Sequence, residues 1–135
     1  MSPLQWWERL RQRHSHRRID WQIHGEAGGK IPAELFDCVA DNLIENAGNK
    51  RLREAGLRIA VSLDTDAQTF SVTDSGSAIP APIAQNLLHT VVSSEDGLGV
   101  GLYQAARWAQ QQGWQLQLAA NQPGAVRFEL KPLPG

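Results

Sequence analysis

The stretch Leu35-Phe-Asp-Cys-Val-Ala-Asp-Asn42-Leu-Ile-Glu-Asn46-Ala47 decides how the chain is read. Leu35, Phe36, Val39, Leu43 and Ile44 recur at helical intervals, the pattern of a helix that lays one apolar stripe on a core. Pro32 suits its first turn, where a backbone N–H is not needed. Asn42 and Asn46 lie four apart, so both carboxamides project from one face beside the stripe. Asparagine is a middling helix former, and two on a buried margin call for a reason. Their carbonyls are neutral hard oxygens, suited to a Mg²⁺ ion otherwise held by water and phosphate oxygens. An exposed polar face is the plainer account of the same pair.

Working outward, Arg18 to His24 alternates Ile19, Trp21 and Ile23 with polar residues, the period of a half-buried strand. Strands are predicted again at Leu57 to Leu63 and Thr69 to Thr73, joined as a hairpin by the turn from Asp64 to Gln68. A short helix is predicted from Pro82 to Leu88, and a longer one from Val100 to Gln112 with Leu102, Ala105, Ala106 and Ala109 inward. Trp114 to Ala119 and Ala125 to Leu130 form a last hairpin across Asn121-Gln-Pro-Gly124. Helices interleaved with hairpins imply an α+β fold, a two-layer sandwich in which a mixed, mostly antiparallel sheet is covered on one face by helices. At the front, Pro3 to Arg18 carries Trp6, Trp7 and Leu10 among five arginines and reads as a helix. It is either an amphipathic helix docked on the domain or the tail of a longer helix from a preceding domain. The division is thus 1–17, the leading helix, and 18–135, one compact domain.

Composition narrows the function classes. The 135 residues suffice for one core, and a net charge of −1 supplies no field toward nucleic acid or an acidic membrane. No apolar run approaches the roughly 20 residues of a membrane span, and no signal peptide opens the chain, so a cytosolic location is expected. Cys38 is the single cysteine, which excludes an internal disulfide and reads as a buried structural thiol.

Two further motifs follow the asparagines. Asp74-Ser-Gly76 closes a strand whose inward residues are Phe70 and Val72, and Gly76 lets the backbone turn beside the acid. A carboxylate at the mouth of an apolar pocket can accept from the exocyclic amine of adenine, and the carbonyl of guanine would face it unfavourably. In Gly97-Leu-Gly99-Val-Gly101-Leu the glycines expose N–H donors and the positive end of a helix dipole to an anion. Neither rival phosphate motif fits. Gly28-Gly29-Lys30-Ile31 lacks the leading glycine and the hydroxyl of a Walker loop, and Gly97 to Gly101 lacks the spacing and the acid of a dinucleotide fingerprint.

The three motifs, in this order, resemble the asparagine box and the two glycine boxes of the catalytic, ATP-binding domain of bacterial sensor histidine kinases, in the superfamily shared with gyrase, MutL and the ninety-kilodalton heat-shock chaperone. The match runs from about Arg18 to Leu130. It implies the Bergerat fold, with ATP and Mg²⁺ as cofactors. Asn46 would hold the metal, Asn42 would stand near the phosphates, Asp74 would take the adenine amine, and the Gly97 to Gly101 backbone would follow the phosphate chain. Gly76, Ile79, Leu98, Gly99, Val100 and Leu102 belong to the same implied surface; Lys50 and Arg53 would be its phosphate-side cations, with an ordinary exposed face as the equally open account of each. Ala78 to Asp96 would be the lid. Ala78 replaces the second glycine of the first glycine box, Lys50 lies one place beyond the family's phosphate-facing lysine, and Glu95 stands where many lids carry a cation.

Hydrolytic branches of the superfamily place a glutamate base where this chain has Asn42, and a neutral amide is a poor base for water. Phosphoryl transfer by positioning and charge neutralisation is therefore expected, with Asn42 and Asn46 as the catalytic pair. The implied acceptor is a histidine on a dimerisation helix of the same or a partner kinase, since His14, His16, His24 and His89 lack the acidic neighbour of family acceptors. A response regulator would act downstream, the full-length protein would be a homodimer, the isolated domain a monomer, and no nucleic-acid partner is expected. Two alternatives stay open: a degenerate module that binds nucleotide or a partner without transfer, and a serine kinase of the anti-sigma type.

Overall fold

In the computed structural model, residues 1–26, 28–89 and 98–134 are described, the last stretch with side chains from Gly101 onward. In chain order the elements are α1 (Pro3–Arg13), β1 (Asp20–His24), α2 (Ala33–Arg53), β2 (Ile59–Asp64), β3 (Thr69–Asp74), α3 (Ala81–Ala84), α4 (Leu98–Gln111), β4 (Trp114–Gln122) and β5 (Ala125–Pro132). One five-stranded sheet has the order β1-β2-β3-β5-β4. β1 pairs with β2 in parallel, and the other neighbours are antiparallel. A parallel pair needs a crossover, which α2 supplies. The mixed, mostly antiparallel α+β sheet is thus the one expected.

Turn chemistry sets the hairpins. Between β2 and β3 the Asp64 carboxylate accepts from the Asp66 and Ala67 N–H groups, each at 3.0 Å, and Gln68 takes φ 52°. The last hairpin is tighter than predicted: Gln122 pairs with Ala125, leaving Pro123-Gly124 as a two-residue turn with Gly124 at φ 87°. A register shift between Leu118 and Ala120 lengthens β4 past Ala119, where the predicted strand stopped. β2 starts at Ile59 rather than Leu57 because the Arg58 N–H and carbonyl are taken by Ser75. α3 is shorter than its prediction, and α4 begins at Leu98 rather than Val100.

The core lies between one sheet face and the helices. Val61, Leu63, Phe70, Val72, Val126, Phe128 and Leu130 of the sheet meet Leu35, Phe36, Val39, Leu43 and Ile44 of α2 and Leu102, Ala105 and Ala109 of α4. Phe36 makes edge contacts with Trp6 at 5.2 Å and with Trp114 at 5.0 Å between ring centroids, and Trp6 meets Phe70 at 5.4 Å. The other sheet face is polar: Ser62 and Ser71 hydrogen-bond across β2 and β3 at 2.6 Å, and Arg127 pairs with Glu129.

α1 is docked on this core. The Ser2 hydroxyl caps it by accepting from the Gln5 N–H, Pro3 occupies its first turn, and Trp6, Trp7 and Leu10 are buried. Trp6 Nε1 donates to Asp37 Oδ1 at 2.8 Å, and Arg13 bonds Asp41 at 2.9 Å. The helix stops at Arg13, short of the predicted Arg18, where His14 turns inward and places Nε2 2.9 Å from Asp41 Oδ1. Burial pulls the Arg13 guanidinium's pKa down, but the bonds and charges of Asp41 and Asp37 outweigh it and leave it raised.

Candidate functional site

α2 carries Asn42, Asn46 and Lys50 at four-residue spacing on one face, a row about 12 Å long at the helical rise. At one end Asn42 Nδ2 donates to Cys38 O at 2.8 Å, which fixes the amide plane. Its Oδ1 lies against Gly101 of α4, so closely that a Cβ at that glycine would collide with it. Gly99 and Gly101 therefore sit within the first turn of α4 rather than in a loop before it, and the N–H groups of that turn have no intrahelical acceptor. Such a turn favours an anion. The backbone of Leu98, Gly99 and Val100 belongs to it, Leu102 is buried behind it, and Gly97 lies outside the described residues, as do residues 90–96 of the lid expected from Ala78 to Asp96.

Cys38 differs from its expectation as a buried thiol: it is half-buried, because it sits on the Asn42 margin rather than on the apolar stripe. Burial pushes its pKa up, the Asn42 amide partly offsets this, and Asp41 adds to the rise.

At the other end of the row Asp74 closes β3 and is 7 % exposed. Its Oδ1 accepts from the Gly76 N–H at 2.9 Å and from Lys50 Nζ at 3.0 Å. Lys50 Nζ also donates to the Ser77 carbonyl. Gly76 is required for space: its φ is not positive, and a Cβ there would lie 2.5 Å from Leu57 Cδ1 and 2.9 Å from both Glu54 Oε1 and Lys50 Cε. Glu54 accepts from the Ser77 N–H at 2.8 Å and the Ser77 hydroxyl at 2.7 Å, bonds that hold its carboxyl below the ordinary range. Arg53 is exposed, and its charge acts on Glu54.

The loop after Asp74 is clamped from the far side as well. Asn121 Oδ1 accepts from the Ile79 N–H at 2.7 Å, its Nδ2 donates to the Ile79 carbonyl at 2.9 Å, and the Gly124 N–H donates to the Gly76 carbonyl at 2.8 Å. Sequence reading assigned Asn121 to the last turn and gave it no role in the site. No local signal marks it, since the clamp joins residues 42 apart.

The residues present fit a nucleotide-borne cation. Asn46 is half-buried and its amide makes no hydrogen bond among the described residues, leaving a neutral oxygen free on the row. Among the described residues no group of three His, Cys, Asp or Glu side chains is placed to hold a metal ion. No helix among them is long and apolar enough to cross a membrane.

Residues 33–134 match the family of histidine kinase-, DNA gyrase B-, and HSP90-like ATPases. A sensor protein LytS of Staphylococcus epidermidis is 31 % identical over 87 residues, covering 64 % of this chain, and the chain spans only 14 % of that relative's length. Among solved structures, the catalytic domain of histidine kinase ThkA superposes with a TM-score of 0.71 at 16 % identity, covering 98 % of this chain and 93 % of its own. The mycobacterial sensor histidine kinase MprB gives 0.67 at 19 % identity, covering 100 % and 99 %. With an asparagine row and a helix amino terminus meeting over one sheet and more than half its length within the family match, the chain belongs to the histidine kinase-, DNA gyrase B-, and HSP90-like ATPases.

Proposed function

We propose that this domain binds ATP with Mg²⁺ and donates the γ-phosphoryl group to a histidine on a separate phosphoacceptor helix of the same or a partner kinase. The observation that carries this reading is Asn42: an amide, not a carboxylate, is fixed by Cys38 against the first turn of α4. An amide cannot take a proton from water, which argues against efficient hydrolysis and for transfer to an acceptor that supplies its own nucleophile. Asn46 would hold the cation, which would supply charge neutralisation on the phosphates. The first turn of α4 would receive the phosphates, and Asp74 would receive the adenine amine.

His14 is removed as an acceptor by its own burial, 5 % exposed and bonded to Asp41. His16, His24 and His89 are exposed but lie on no long helix. A downstream response regulator, a dimeric full-length kinase and a cytosolic position for this domain belong to the same proposal.

The test mixes the purified chain with γ-labelled ATP and a phosphoacceptor-helix fragment. Acid-labile, base-stable label on the fragment is expected. Acid-stable label on serine would move the domain to the anti-sigma kinases, and nucleotide binding with no label would make it a non-transferring module. Asn46→Ala should weaken ATP binding only when Mg²⁺ is present; undiminished binding in Mg²⁺ would refute the metal assignment.

A further inference from the structure

Lys50 was expected on the phosphate side, one residue beyond the position of the family's phosphate-facing lysine. A shift of one residue turns a side chain about 100° around a helix. In the structure its ammonium points to the other end of the row, onto Asp74 Oδ1 at 3.0 Å and the Ser77 carbonyl. Both side chains of this pair are nearly closed to solvent, at 12 % and 10 % exposure. The lysine stem passes over Gly76, where any Cβ would press on Cε at 2.9 Å, so the glycine makes room for the lysine as well as for Leu57.

The two oxygens of Asp74 are consequently unlike. Oδ1 already accepts from Lys50 Nζ and from the Gly76 N–H at 2.9 Å. Oδ2 has no hydrogen bond among the described residues. A carboxylate free to rotate offers a donor two equivalent oxygens. One pinned in this way offers a single acceptor in a fixed direction, at no further cost in side-chain ordering when a ligand arrives.

We propose that Lys50 is a specificity-determining positioning residue of the base pocket rather than a phosphate ligand. It holds Asp74 Oδ1 so that Oδ2 alone meets the exocyclic amine of a 6-aminopurine, and a 6-oxopurine finds only an acceptor facing its carbonyl. The proposal rests on the reading of Asp74 as the adenine contact. It differs from that reading in predicting that Lys50 matters to the base and not to the phosphates.

The experiment measures binding of adenosine, inosine, ATP and GTP, the nucleotides with Mg²⁺, to the wild-type chain, Lys50→Met and Lys50→Arg, with circular dichroism to confirm folding. Lys50→Met is expected to weaken adenosine and ATP by the same factor, up to about tenfold, the loss that follows when the Asp74 side chain must be ordered by the ligand. Adenosine over inosine and ATP over GTP should both narrow by that factor, and Lys50→Arg should restore most of the preference. A phosphate-side lysine gives a different pattern: ATP and GTP weaken together and adenosine is untouched, which overturns the proposal. Unchanged binding of all four ligands overturns it too. If Lys50→Met does not fold, Lys50→Gln, which keeps the stem over Gly76, is read by the same criteria. Failure of wild-type protein to bind ATP at all would instead refute the nucleotide reading itself, so the two failures are separable.

Discussion

Replacing Gly101 with alanine probes the closest approach in the site. Inside α4 alanine is better than glycine by about 1 kcal/mol, so the helix alone would gain from the change. The new Cβ, however, would collide with Asn42 Oδ1 and lie 3.4 Å from Asn42 Cγ. Asn42 has little freedom to yield, because Nδ2 is bonded to Cys38 O at 2.8 Å. Swinging the amide away breaks a bond of about 1 kcal/mol and forces an off-rotamer side chain that costs about 1 kcal/mol more. The loss is about twice the gain, leaving a destabilisation of about 1 kcal/mol, a fall in Tm of roughly 3–5 °C for a domain of this size. The coupling is more informative than the single change. In an Asn42→Ala background the collision is gone and the helix gain remains, so Gly101→Ala should now raise stability by about 1 kcal/mol. Four proteins, wild type, both singles and the double, unfolded by urea and by heat, give a coupling of about 2 kcal/mol. Gly101→Ala stabilising by the same amount in both backgrounds would show that the α2–α4 contact is not where the structure puts it.

Trp6→Ala removes a fully buried indole that touches Phe36 and Phe70 and donates to Asp37, so urea unfolding should show a loss of about 3–5 kcal/mol. Trp6→Phe should recover all but about 1 kcal/mol of this, the share of the lost hydrogen bond. Asn121→Ala releases both bonds to Ile79 and should cost about 1–2 kcal/mol in stability; calorimetry should show weaker ATP binding even though Asn121 touches no predicted ligand group. For Glu54, hydrogen bonds from Ser77 lower the folded carboxyl below its ordinary 4.5. Its contribution is therefore complete above that value and lost as pH falls through the folded one, so Tm measured from pH 6 to pH 3 should decline less steeply in Glu54→Gln than in wild type. Identical slopes would mean that the Glu54–Ser77 clamp does not form.

Much of the fold was legible because it is written in short intervals. The spacing of Leu35, Val39, Leu43 and Ile44, and the alternation of Ile19, Trp21 and Ile23, named a helix and a strand correctly. The ends of elements were less legible: glycines at 99 and 101 argue locally against helix, yet α4 starts at Leu98. Cys38 was misread because one position on a helix separates the buried stripe from the half-open margin.

By itself the sequence determined the helix, strand and hairpin types and the presence of an asparagine pair, an acid and a glycine turn in family order. The tertiary structure alone decided that Lys50 reaches Asp74, 24 residues away, that Asn121 holds Ile79 across 42, and that Gly76 is there for space rather than for its turn. The physical reason is range: periodicity and propensity act between residues a few positions apart, whereas the partner of a polar side chain is set by which elements the packed core brings side by side.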